Sequence, residues 1–172
     1  MTLIVEDGTG LAGADAYVSL DDCVAYATAR GLTFPASPAD AAEQAIIRAT
    51  SAIDAMYRSR FPGQRLNGRA QALEWPRKNG YDAAGEAIDS DAVPVEIVAA
   101  TCEAAIRELA TPGSMMPDLE RGGGIRSLKA GSVAIEYSGN ASALTTYTTI
   151  NGILSGLLSA ASMSFIGVAV RG

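Results

Sequence analysis

Residues 37–60 read SPADAAEQAIIRATSAIDAMYRSR, and their periodicity decides the fold class. Ala42, Ala45, Ile46, Ala49, Ile53, Met56 and Tyr57 recur at steps of three and four, the spacing of one apolar face on an α-helix. Ser37 is positioned as an N-cap and Pro38 as the first helical residue, and the pattern runs to about Arg60. Alanine dominates the stripe, so a partner helix can approach closely. The chain has 172 residues, 48% of them hydrophobic and 32 of them Ala, enough for one core built from small side chains.

Working outward, two more segments show helical signals. Residues 19–30 start at Ser19, continue through Asp22, Cys23, Tyr26 and Ala27, and stop before Gly31, an N-cap to C′ arrangement. A third helix is predicted from Pro94, with Ile97, Val98, Thr101, Cys102, Ala105, Ile106 and Leu109 on one stripe, ending at Thr111-Pro112-Gly113. Between the second and third helices runs a long connection, 62–92, that carries the chain's one tryptophan, Trp75. Connections of that length usually carry function. Pro76 disfavours helical geometry at Trp75, so the indole is expected to cap the core from an extended segment, with ligand stacking as the alternative. Residues 125–128 and 133–137 alternate around Ala130-Gly131, predicting a β-hairpin near 125–137 with Val133, Ile135 and Tyr137 on one face.

The expected architecture is mainly α: a small helical bundle with a long inter-helix loop, that short hairpin, and an extended or weakly helical C-terminal tail. It divides into a helical core over 1–112, a loop and hairpin over 113–137, and an uncharged assembly tail over 138–172. In the tail, Leu144, Tyr147, Ile150, Ile153, Leu154, Leu157 and Leu158 hint at a weaker fourth helix, interrupted by Gly152 and Gly156. Residues 153–170, ILSGLLSAASMSFIGVAV, approach membrane-spanning length. Four serines and the lack of a flanking basic cluster argue instead for a segment buried on assembly, with no membrane partner.

Charge divides the chain further. Thirteen Lys and Arg against nineteen Asp and Glu leave a net −6, which argues against wholesale wrapping of nucleic acid. Residues 58–78 hold Arg58, Arg60, Arg65, Arg69, Arg77 and Lys78 against Glu74 alone, a local +5 that leaves −11 elsewhere. Residues 137–172 carry a single charge, Arg171. The basic residues are read as intersubunit or partner contacts, or alternatively as a solvated face whose exposed ion pairs contribute little.

The absence of histidine excludes Ser-His-Asp and Cys-His catalysis and His-containing metal sites. Cys23 and Cys102 have no CxxC spacing and are expected to be buried, reduced and apolar. Neither Asp21 with Asp22 nor Asp89 with Asp91 has the partners of an acid-base site, and Gly122-Gly123-Gly124 lacks the Lys-Ser/Thr pair of a phosphate loop. No catalytic, cofactor or metal residue is therefore assigned, and no enzyme activity is expected. The start, MTLIVEDGTG, lacks signal-peptide features, so synthesis in the cytoplasm is expected.

Several blocks resemble a family of head-tail connector or adaptor proteins from tailed bacteriophages and prophages, which also carries the label DnaT-like single-stranded DNA-binding protein. They are Ala14-Asp-Ala-Tyr-Val-Ser19 with Tyr26 and Gly31, Ala45-Ile-Ile-Arg-Ala-Thr50 with Ile53-Asp54 and Tyr57-Arg58, and Arg60-Phe-Pro-Gly63. Gln71-Ala-Leu-Glu-Trp-Pro-Arg77 is the most specific, followed by Val93-Pro94 and by Ile125–Gly131 with Val133–Tyr137. The match covers about residues 14–137. The resemblance implies a virion protein assembled as a homo-oligomeric ring, about twelve copies in related connectors, beneath the portal protein. Such a ring would extend the channel for packaged double-stranded DNA and dock a tail-side stopper or tail-terminator protein. The label implies the competing reading, a replication accessory protein that binds single-stranded DNA, although such proteins normally line their grooves with several stacking aromatics.

Overall fold

The computed structural model describes residues 3–117, 127–130, 133–136 and 147–158. Four helices dominate it: α1 (Leu20–Ala29), α2 (Ala39–Tyr57), α3 (Val95–Ala110) and α4 (Thr148–Leu154). Two short antiparallel pairs join them, β1 (Gln64–Arg65) with β2 (Arg77–Lys78), and β3 (Ser127–Ala130) with β4 (Val133–Glu136). The mainly helical class and the hairpin expected from the sequence are both present.

The helix ends follow local chemistry. The Ser19 hydroxyl caps α1 by accepting the Asp22 N–H. At the other end Gly31, at φ +66°, sends its N–H to the Thr28 carbonyl while the Leu32 N–H reaches the Ala27 carbonyl, a Schellman closure. One boundary differs from expectation. Pro38 sits outside α2 in extended geometry (ψ 136°), so the helix begins at Ala39 with no side-chain cap, and Ser37 is one residue too early to serve as one. The Pro38 carbonyl instead receives the Ala41 and Ala42 N–H groups. At the far end α2 closes at Tyr57, whose carbonyl takes the Arg60 and Phe61 N–H groups in a final turn.

The most extensive helix contact joins α2 to α3. Ala42, Ile46, Ala49, Ala52 and Ile53 pack in one cluster with Ile97, Ala100, Cys102, Ala104 and Ala105, a core of mostly small side chains. Ile46, Ile53 and Ile97 are fully buried, and truncating one such side chain to Ala costs about 2–5 kcal/mol. Cys23 on α1 and Cys102 on α3 are free and buried, and a hydrogen bond with Cys23, together with burial, pushes the Cys102 thiol up.

The core also extends beyond residue 112. Tyr147, Ile150, Leu154, Leu157 and Leu158 are buried in the same cluster, and α4 packs on α3. Tyr57 Oη donates to Asn151 Oδ1 at 2.5 Å and Tyr147 Oη donates to the Ser114 carbonyl. Residues 147–158 of the uncharged tail thus form a lid on the bundle. Among the described residues no helix is long and apolar enough to cross a membrane.

Candidate functional site

The basic segment starts where α2 ends and folds back onto the bundle. Phe61 and Pro62 are buried, and Gly63 turns the chain at φ +67°. A Cβ at Gly63 would lie 2.4 Å from the Lys78 carbonyl oxygen, so only glycine lets the two short strands meet there. β1 then pairs with β2 through Gln64 opposite Lys78 and Arg65 opposite Arg77.

Between these strands the loop is held by one buried amide. Gln71 Oε1 accepts the Asn67 N–H, while its Nε2 donates to the Leu73 and Pro76 carbonyls. Asn67 Nδ2 reaches the Thr9 and Gly10 carbonyls, tying the N-terminal loop to the same place. That N-terminal loop is organised by the buried Glu6 carboxylate, which accepts the N–H groups of Gly8, Gly10 and Leu11.

Trp75 is fully buried, with its ring 5.6 Å from the Phe61 ring in an edge-to-face arrangement. Its backbone N–H donates to Tyr17 Oη, and Tyr17 Oη donates at 2.6 Å to Asp54 Oδ1. Asp54 Oδ2 accepts the Glu74 N–H at 3.0 Å. One buried carboxylate on α2 therefore holds two successive backbone N–H groups, that of Glu74 directly and that of Trp75 through the Tyr17 hydroxyl. Burial raises the Asp54 carboxyl to about 6, against the lowering effect of the Tyr17 and Glu74 hydrogen bonds. Burial and the adjacent Asp54 charge push the Tyr17 phenol up as well.

Arg77 completes the clamp. Its guanidinium donates through Nε to the Pro62 carbonyl at 2.8 Å, through Nη2 to the Gly63 carbonyl at 2.9 Å, and through Nη1 to the Glu74 carboxylate at 2.9 Å. The side chain is 8% exposed and lies about 6 Å from both the Phe61 and Trp75 ring centres. A comparable junction closes α3, where the buried Glu108 carboxylate takes Arg48 Nε and the Gly113 and Met115 N–H groups. Burial works against ionisation there, yet these donors hold the carboxyl below its usual range.

The structure thus divides the residues singled out from sequence. Arg77 is an internal strut, and Lys78 Nζ donates to the Leu66 carbonyl from an exposed position. Arg58 and Arg69 are exposed, Arg65 is half-buried, and Arg60 is half-buried with an Nε that has no hydrogen-bond partner among the described residues. Trp75 is inside the core, out of reach of a stacking base. Val133 and Ile135 lie on β4, paired with Ala130 and Leu128, while Tyr137 lies outside the described residues. β3 and β4 pair only with each other, leaving one edge of each without a strand neighbour among the described residues. No cluster of side chains suited to a metal ion occurs among the described residues.

Tyr17, Asp54, Gln71 and Asn67 do the anchoring, and sequence reasoning gave none of them a role. The available signal was a carboxylate, Asp54, flanked by Ile53 and Tyr57 on the apolar face of α2. The described residues thus form a small, mainly helical protein whose Trp-Pro-Arg segment is a buried loop clamp. Its sequence places it more closely: the chain belongs to the family described as "Putative DnaT-like ssDNA binding protein", whose model matches residues 1–172. No curated protein and no solved structure matches the chain.

Proposed function

We propose that the protein is a non-enzymatic structural component of a tailed phage or prophage, a head-tail connector that assembles as a ring below the portal protein. In the virion it would extend the DNA channel and present its far side to a stopper or tail-terminator protein. The observation that carries this reading is the inward folding of Phe61, Trp75 and Arg77. Phe61, Trp75 and Arg77, side chains of the kind a strand-binding groove carries on its surface, instead fix the loop to the bundle. The edges of β3 and β4, which have no strand neighbour among the described residues, fit assembly by neighbour contacts.

Mass photometry of the purified protein, alone and with portal protein, tests it. The expected result is a ring on the portal, with a central hole visible by negative-stain imaging. A chain that stays monomeric and never joins portal rings overturns the proposal.

The family description and the exposed Arg69, Lys78 and Tyr81 favour a second reading, binding of single-stranded DNA. Titration of a labelled oligonucleotide separates the two. The connector reading expects weak binding. A dissociation constant below about 1 μM that weakens steeply with salt would favour the second.

A further inference from the structure

Directly after the basic segment the charge reverses. Residues 79–106 contain Asp82, Glu86, Asp89, Asp91, Glu96 and Glu103 and no Lys or Arg. Glu86, Asp89 and Asp91 are exposed, and among the described residues none of the three is ion-paired with a cation of the 58–78 segment. Asp89 lines a hollow of about 230 Å³ together with Ile88, Ala92, Val93, Pro94 and Val95, and the exposed Glu86 and Asp91 flank this stretch in sequence. Val95 is 77% exposed, and Tyr81, 60% exposed, lies on the same loop, where it bridges to Ala87 next to Ile88. Large apolar side chains left in water beside unpaired charge of one sign describe an interface centre with a polar rim.

We infer that this acidic-rimmed groove receives a second copy of the chain, through the exposed cations Arg69 and Lys78 of that copy's basic segment. Charge complementarity selects the occupant: the segment of +5 is the one strongly basic stretch in the sequence, and it is contiguous with the acidic stretch. Each copy therefore carries both halves of the contact, the requirement for a head-to-tail contact that propagates around a ring. The inference rests on the ring reading and names the surface that would build it.

Two double variants test it, Asp89→Lys with Asp91→Lys and Arg69→Glu with Lys78→Glu, all at exposed positions. Self-association is measured by sedimentation velocity at low and moderate salt, with thermal melting to verify that both variants fold. Each variant alone is expected to lose self-association by about tenfold or more, and an equimolar mixture to regain it, because each supplies the face the other has reversed. Wild-type association should weaken as salt rises. Wild-type protein that remains monomeric at hundreds of micromolar overturns this docking site, whereas the connector reading stands or falls separately on portal binding. Association unchanged in both variants also overturns the site and leaves the ring to form through another surface.

Discussion

The long connection between α2 and α3 has two halves that behave oppositely. Residues 61–77 are knitted into the bundle, with Phe61, Gln71, Trp75 and Arg77 buried and their polar atoms mostly paired. Residues 81–92 are largely exposed, held by the Asp82 side chain on its own loop and by one bond from Ala83 to the Gly156 carbonyl. The half with the greater positive charge is the one folded onto the bundle, with Arg77 buried there even though Arg69 stays exposed. Charge count alone therefore does not locate a binding surface; what matters is whether aromatic rings and carbonyls lie close enough to use the charge internally.

The contrast can be broken in four ways. The largest effect is expected from Trp75→Ala, which should cost about 3–5 kcal/mol in urea unfolding, while Tyr81→Ala in the exposed half changes stability by less than about 0.5 kcal/mol. Equal losses at the two positions would erase the distinction. Arg77→Ala should cost about 2–4 kcal/mol by orphaning the Pro62 and Gly63 carbonyls and the Glu74 carboxylate, against a near-neutral Asp89→Asn.

Asp54 sharpens the comparison through pH. Its folded value, about 6, lies above the ordinary aspartate value of 3.8, so the folded state binds the proton more tightly. Its contribution to stability thus rises as pH falls from about 7 towards 4, by about 1–3 kcal/mol, and is constant below that. Glu108 has the opposite sign: its lowered value makes its contribution present at neutral pH and lost as acid protonates it. Denaturant midpoints between pH 7 and pH 4, compared with those of Asp54→Asn, should show the rise vanish in the variant. The smallest effect distinguishes two glycines of similar backbone, Gly63 (φ +67°) and Gly85 (φ +86°). Gly85→Ala, with open space around it, should cost about 1 kcal/mol, and Gly63→Ala should cost more by about 1–2 kcal/mol because the Lys78 carbonyl blocks it.

Much of the fold was legible because α1, α2 and α3 carry clear apolar periodicity, and α1 also its Ser19 cap and Gly31 stop. The Trp75-Pro76 pair suggested an indole turned to the core rather than to a ligand, and the indole is fully buried against Phe61. The polar anchors were not legible. Asp54 and Glu108 lie on helices where a carboxylate ordinarily faces water, and only the distant Tyr17, Glu74, Arg48 and Met115 explain their burial. The role of residues 147–158 was half legible: the spacing of Tyr147, Ile150 and Leu154 marks a helix, but their composition matches an assembly segment equally well. Which apolar surface covers which is a long-range fact that no local pattern encodes.

That lid also sets a timetable for biosynthesis. Residues 147–158 are made after every other part of the described core, yet Ile150 and Leu154 are among its most deeply buried side chains. A nascent chain with α2 and α3 already outside the ribosome still shows the apolar surface that α4 will cover. The bundle closes only when Tyr57 meets Asn151, so the described core cannot be completed before residues 147–158 have left the ribosome.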